Sequence, residues 1–119
     1  MSREKRIQER ELILPALAVI EKNPGISTSM LIRELEIVFH PEGEDARILA
    51  GRNDTKFSQK VRNLKSHRES NSMADFTEYK NGRYRLTEAG KQYLDDHRRT
   101  VEYIMENPLK YGDVRTLLH

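Results

Sequence analysis

The chain contains no cysteine and no tryptophan, and its aromatics are limited to three Phe and five Tyr. Without cysteine, disulfide scaffolds, thiolate-bound zinc, iron–sulfur clusters and thiol catalysis are excluded. Long apolar runs are also missing: none approaches the roughly 18 residues that a membrane-spanning helix requires. The opening stretch, Met1-Ser2-Arg3-Glu4-Lys5-Arg6, is charged and has no apolar segment behind it. A secretory signal is therefore not expected, and a cytoplasmic protein without membrane contact is. There is no internal repeat and no low-complexity tract. What remains is 119 residues, 36% hydrophobic and 34% charged. That suits one domain with a small core, too patterned in its apolar positions for disorder.

The formal charge of +2 conceals an uneven distribution. Residues 52–68 carry Arg52, Lys56, Lys60, Arg62, Lys65 and Arg68 against Asp54 alone, a net +5, which leaves −3 for the rest of the chain. A local concentration of cations is the footprint of a surface that meets a polyanion. A solvated helix face is the plainer explanation for a charge run, but such faces usually mix Glu with Lys. No acidic residue occurs between Thr55 and Arg68.

Apolar spacing predicts a first helix from about Glu9 to Lys22, with Ile13, Leu14, Leu17, Ala18 and Ile20 on its stripe. Pro15 fits either the first turn of a helix starting nearer Leu12 or a kink. Asn23-Pro24-Gly25 ends that helix. Ser27-Thr28-Ser29 then supplies good capping residues for a second helix, about Thr28 to Phe39, with Leu31, Leu35 and Val38 on one face and Ile32 and Phe39 beside it. Its outer side carries Glu34 and Glu36, followed by Glu42, Glu44 and Asp45, so this part should avoid phosphate. Ala46 to Ala50 is compatible with a short helical turn.

A third helix is predicted from about Thr55 to His67, with Asp54 as its cap. Phe57, Val61 and Leu64 form its narrow buried stripe. The opposite face shows Thr55, Gln59, Arg62 and Ser66, flanked by Lys56, Lys60, Asn63 and Lys65. Glu69 to Asp75 reads as a loop. Phe76–Lys80 and Arg83–Leu86, joined by Asn81-Gly82, read as a β-hairpin, because Asn-Gly accepts the positive φ that both turn positions need. Tyr84 and Leu86 should pack beneath it; Tyr79 could do so or stack on a ligand. Thr87 caps a fourth helix in which Leu94, His97, Val101 and Ile104 recur at helical spacing toward about Glu106.

Helix, helix, basic helix, hairpin, helix is the order of a winged helix-turn-helix domain. The expected fold is mainly α with a small β-hairpin: a three-helix core plus wing over residues 1–97, with a C-terminal helical extension over 98–119. A rigidly held third helix can enter a major groove, where Gln59 and Asn63 suit adenine and Arg62 suits guanine. Lys56, Lys60 and Lys65 suit phosphate, and Thr55 and Ser58 lie at the helix N-terminus, where an anion is favoured. Lys80, Arg83 and Arg85 on the wing can reach the backbone or minor groove. The long connection after Phe39 can add contacts through Arg47 and Arg52. The expected DNA-contacting set is therefore Arg52, Thr55, Lys56, Ser58, Gln59, Lys60, Arg62, Asn63, Lys65, Ser66, Lys80, Arg83 and Arg85.

The stretches Ile48–His67 and Tyr79–Gly90 resemble the winged-helix domains attached to Mrr-like and other restriction endonucleases. The resemblance rests on Phe57, Val61, Arg62, Asn63 and Leu64, then Arg83, Tyr84, Leu86, Thr87 and Gly90, and spans about residues 9–97. It implies duplex DNA binding for a restriction or defence system, alone or beside a nuclease or other effector subunit, or as a transcriptional regulator. Two features depart from the pattern. The connection from Phe39 to Asp54 is longer than a simple helix-turn-helix turn, and nothing resembles a nuclease domain.

No catalytic constellation is visible. His40, His67, His97 and His119 lack metal-ligand spacing, and Glu34/Glu36 and Asp95/Asp96 are too close along a helix to face each other. Capping explains Asp54 before Thr55-Lys56. There is no phosphate loop, nucleophile elbow or dinucleotide fingerprint. No enzymatic activity, metal or cofactor is expected. The stripe Leu94, Val101, Ile104 and Met105 fits either a homodimer through the C-terminal helix or packing back onto the chain's own first helix. A winged-helix protein-interaction module without DNA binding is the alternative function.

Overall fold

The structure, a computed structural model, describes residues 8–39, 55–70 and 72–106. Expectations for Arg47, Arg52, the Asp54 side chain, the turn at residues 46–50 and the tail at 107–119 lie outside these residues.

The most apolar segment of the chain becomes its central element. A 3-10 turn, Glu9–Leu12, leads into helix α1, Ile13–Lys22, which is buried without interruption from Leu14 to Ile20. Pro15 is the third residue of α1, where a backbone N–H has no intrahelical acceptor to lose, so it fits the first turn. Asn23 stops the helix by donating its backbone N–H to Val19 and Ile20 carbonyls and its side-chain amide to Val19. Gly25, at φ +83°, then turns the chain and donates its N–H to the Tyr84 carbonyl at 2.8 Å.

That turn creates a strand the sequence did not announce. Residues Ile26–Ser27 (β1) pair antiparallel with the hairpin, Ile26 opposite Tyr84 and Ser27 opposite Arg83. Two residues are too few for an alternation signal, so only the partner strand reveals it. Ser27 also caps helix α2, Thr28–Phe39, by accepting the Met30 N–H. Leu31, Ile32, Leu35 and Phe39 are the buried side of α2, with Val38 packed at the edge.

Helix α3, Lys56–Ser66, is capped by Thr55 rather than Asp54. The Thr55 hydroxyl accepts the Ser58 N–H at 3.0 Å, and the Ser58 hydroxyl accepts the Thr55 N–H at 2.9 Å. This reciprocal pair satisfies two otherwise open donors, which a carboxylate one residue earlier would not match in register. Phe57, Val61 and Leu64 are wholly buried, as their spacing predicts.

At the end of the expected 69–75 loop a single helical turn forms, α4, Met73–Phe76, which takes Phe76 out of the expected strand; Met73 is fully buried and its carbonyl accepts the Thr77 hydroxyl. Strands β2, Thr77–Lys80, and β3, Arg83–Leu86, then pair with Tyr79 opposite Tyr84 and Lys80 opposite Arg83. Asn81 and Gly82 both take positive φ, as the two-residue turn demands. The sheet order is β1-β3-β2.

The predicted single fourth helix is two. Helix α5, Glu88–Asp96, is capped by Thr87, whose hydroxyl accepts the Gly90 N–H, and it ends at His97. Helix α6, Arg98–Glu106, follows directly. At the break His97 leaves helical geometry, with its backbone N–H on the Leu94 carbonyl and its imidazole Nδ1 against the Tyr93 carbonyl at 2.9 Å. The change of direction packs α6 against α1, where Val101 and Ile104 are buried. Arg98 fixes the return with two bonds to the Glu21 carboxylate, at 2.9 and 3.0 Å, and a third contact to Asp95. Leu94, Val101 and Ile104 of the apolar stripe are thus buried within the chain, and Met105 is partly buried beside them. The described residues make a mainly helical fold with one small antiparallel sheet and a continuous core from Leu12 to Ile104.

Candidate nucleic-acid interface

Burying Phe57, Val61 and Leu64 at full depth fixes the rotation of α3. Every cation of the helix must then leave from its other side. Lys56, Gln59, Lys60, Arg62, Asn63 and Lys65 are half-buried and Ser66 is exposed. The side-chain amide of Gln59 donates to the side-chain oxygen Oδ1 of Asn63 at 2.9 Å, one helical turn on, which holds the two amides in one orientation. The two base-edge candidates therefore act as a coupled pair. No carboxylate is interleaved along this helix.

Two of the expected contacts have other work. Ser58 is only 6% exposed and its hydroxyl is engaged with the Thr55 backbone, so its side chain serves the cap and does not face solvent. Sequence spacing places Ser58 at the N-terminus but cannot show which side of the helix it leaves from. The Thr55 hydroxyl is committed to the same cap.

The hairpin divides its side chains by alternation. Tyr79 and Tyr84 share one face, while Glu78, Lys80, Arg83 and Arg85 share the other. Lys80 is exposed beside the turn. The Arg83 guanidinium donates to the Gly25 carbonyl at 2.9 Å, and the Arg85 guanidinium lies against Gly25 as well, 3.3 Å from where a Cβ would stand. Both arginines are thus gathered over the turn between α1 and β1. They form a second basic group rather than an extension of the α3 face.

The link between α3 and the hairpin is made by Lys65, whose ammonium sits 5.1 Å from the Tyr79 ring centroid. Tyr79 in turn packs edge-on against Tyr84, with centroids 4.7 Å apart, and shares a 3.3 Å hydroxyl contact with Thr28 at the start of α2. The C-terminal end of α3 is tied back to the start of the domain by His67, whose Nδ1 lies 2.9 Å from the Glu9 carboxylate. Thr28 was not among the residues singled out by sequence. Its only signal there is that of a capping residue.

Among the described residues no cluster of three or more His, Asp or Glu is placed to hold a metal. None of their helices is long and apolar enough to cross a membrane. No protein-family model, curated protein or solved structure matches this chain.

Proposed function

We propose that this chain is a winged helix-turn-helix protein that binds duplex DNA, with α3 as the major-groove helix and the β2–β3 hairpin as the wing. The observation that carries the reading is the division of α3 into a fully buried apolar stripe and an opposite side of Lys56, Lys60, Arg62 and Lys65 without a carboxylate. A helix so clamped presents its cations and its Gln59–Asn63 pair as one rigid surface, which suits backbone anchoring together with base-edge readout. The element order, with a short β1 pairing to the far strand of the hairpin, supports the winged-helix assignment. Arg83 and Arg85, over the α1–β1 turn, offer a separate contact to the backbone. The biological setting we favour is DNA recognition for a restriction or defence system, with or without a nuclease subunit, or transcriptional regulation.

Selection of bound sequences from a random duplex library, with wild type and Arg62→Ala in parallel, tests this reading. The wild type should enrich a motif. Arg62→Ala should lose about 1–3 kcal/mol on that motif and tolerate more bases at one position. Replacing Lys56, Lys60 and Lys65 together by Gln should weaken binding to all duplexes alike. An unchanged affinity in the triple variant would turn the assignment toward a protein-interaction module.

A further inference from the structure

The Tyr84 side chain is 1% exposed and its hydroxyl is buried without a hydrogen-bond partner. Burying an unpaired hydroxyl costs free energy, so such a group marks strain or an absent partner. Its ring packs edge-on against that of Tyr79, with centroids 4.7 Å apart, beside Thr28, the first residue of the twelve-residue α2, and its hydroxyl finds no hydrogen-bond partner there. Thr28 instead shares its hydroxyl with Tyr79 across a long 3.3 Å contact. Three hydroxyls therefore meet at the start of a helix, where the backbone dipole favours negative charge. Lys65 stands over the Tyr79 ring, 5.1 Å from its centroid. Each of the three hydroxyls has one O–H to donate, and the charge that stands over the Tyr79 ring is positive.

We propose that Thr28, Tyr79 and Tyr84 form a phosphate-oxygen site at the N-terminus of α2, completed when a backbone phosphate of duplex DNA enters beside α3. An incoming phosphate oxygen draws the Thr28 and Tyr79 hydroxyls away from each other, so that both donate to it. The Thr28 oxygen, released from Tyr79, accepts from Tyr84. Every hydroxyl then has a partner, and the buried one contributes without reaching solvent. Lys65 supplies the charge. The proposal rests on the DNA-binding reading for its ligand, but the chemistry recognised is that of a phosphate oxygen from any source.

Tyr84→Phe and Thr28→Val in the full chain test it in two arms. In the first, duplex binding is titrated at several salt concentrations. Both variants should bind about three- to tenfold more weakly, equally for all duplex sequences and with the salt slope unchanged, because neutral donors displace no counterions. Lys65→Gln should instead flatten the slope by about one unit. Tyr84→Phe should melt at or above the wild-type temperature, because it removes an unpaired buried hydroxyl. Loss of affinity without loss of stability separates a ligand contact from a structural one. In the second arm, inorganic phosphate replaces chloride at constant ionic strength while the backbone amides of Thr28 to Met30 are followed by NMR. Saturable shifts in the wild type that vanish in both variants are expected. Duplex binding as tight in Tyr84→Phe and Thr28→Val as in wild type overturns the proposal, and so does a wild type whose amides ignore phosphate. Phosphate-dependent shifts in a chain that binds no duplex would support the site and remove the DNA reading.

Discussion

Gly90 stands where the start of α5 crosses the end of α4. A Cβ built there would lie 2.0 Å from the Phe76 carbonyl oxygen, and the obstacle is backbone, which cannot swing aside. The same carbonyl accepts the Thr87 N–H at 2.9 Å, so moving it also breaks a bond. Gly90→Ala should therefore destabilise the fold by about 3 kcal/mol, at the upper end of what overpacking costs, read from urea unfolding at neutral pH. Tyr84 carries a different liability. Burial, reinforced by neighbouring Tyr79, pushes its hydroxyl from an ordinary 10.0 up to about 12. Its folded form holds the proton more tightly than the unfolded chain. That contribution is complete below pH 10 and is lost as pH rises toward 12. Stability should fall through this alkaline window in wild type and fall less steeply in Tyr84→Phe, as measured by thermal unfolding across the range. A cap such as Thr87-Glu88-Ala89-Gly90 is visible in sequence, since its chemistry is local. The Gly90–Phe76 approach and the orphaned Tyr84 hydroxyl are not, because each depends on a residue brought in from elsewhere.

Helices α1, α2 and α3 follow their apolar stripes closely, and the hairpin turns at Asn81-Gly82 as expected. These elements are long or chemically specific enough to declare themselves. Short ones are not: β1 exists because β3 offers it an edge, and α4 rests on one buried methionine. The break at His97 was hidden for another reason. The spacing of Leu94, Val101 and Ile104 suits one straight helix as well as two that both face α1, and the turn at His97 with the Glu21–Arg98 contact shows which forms. Arg98 holds the Glu21 carboxyl below its usual range. Its contribution is thus present above the ordinary carboxylate pKa and lost as pH falls through the depressed value. Arg98→Ala should loosen α6 at pH 7, with faster amide exchange at Val101 and Ile104. The gap between variant and wild type should close in acid, once Glu21 is protonated. A gap that persists there would assign the role of Arg98 to packing instead.

At the scale of the whole molecule, charge is sorted by element. The α3 segment is cationic, α2 carries Glu34 and Glu36, and the arginines of the hairpin gather over the α1–β1 turn. Composition alone shows the first part of that pattern, because a net +5 over residues 52–68 needs no coordinates to see. Fixing which side of α3 faces away from the core needed the burial of Phe57, Val61 and Leu64, and excluding Ser58 needed its bonds to Thr55. The proposed function follows from that sorting, since a rigid cationic face attracts a polyanion by releasing its counterions. Fluorescence anisotropy of a labelled duplex, titrated with this protein from low to moderate salt, tests the claim most directly. With about six phosphates engaged, the logarithm of affinity should fall against the logarithm of salt with a slope near −5. A flat dependence, or no binding at micromolar protein in low salt, would contradict it.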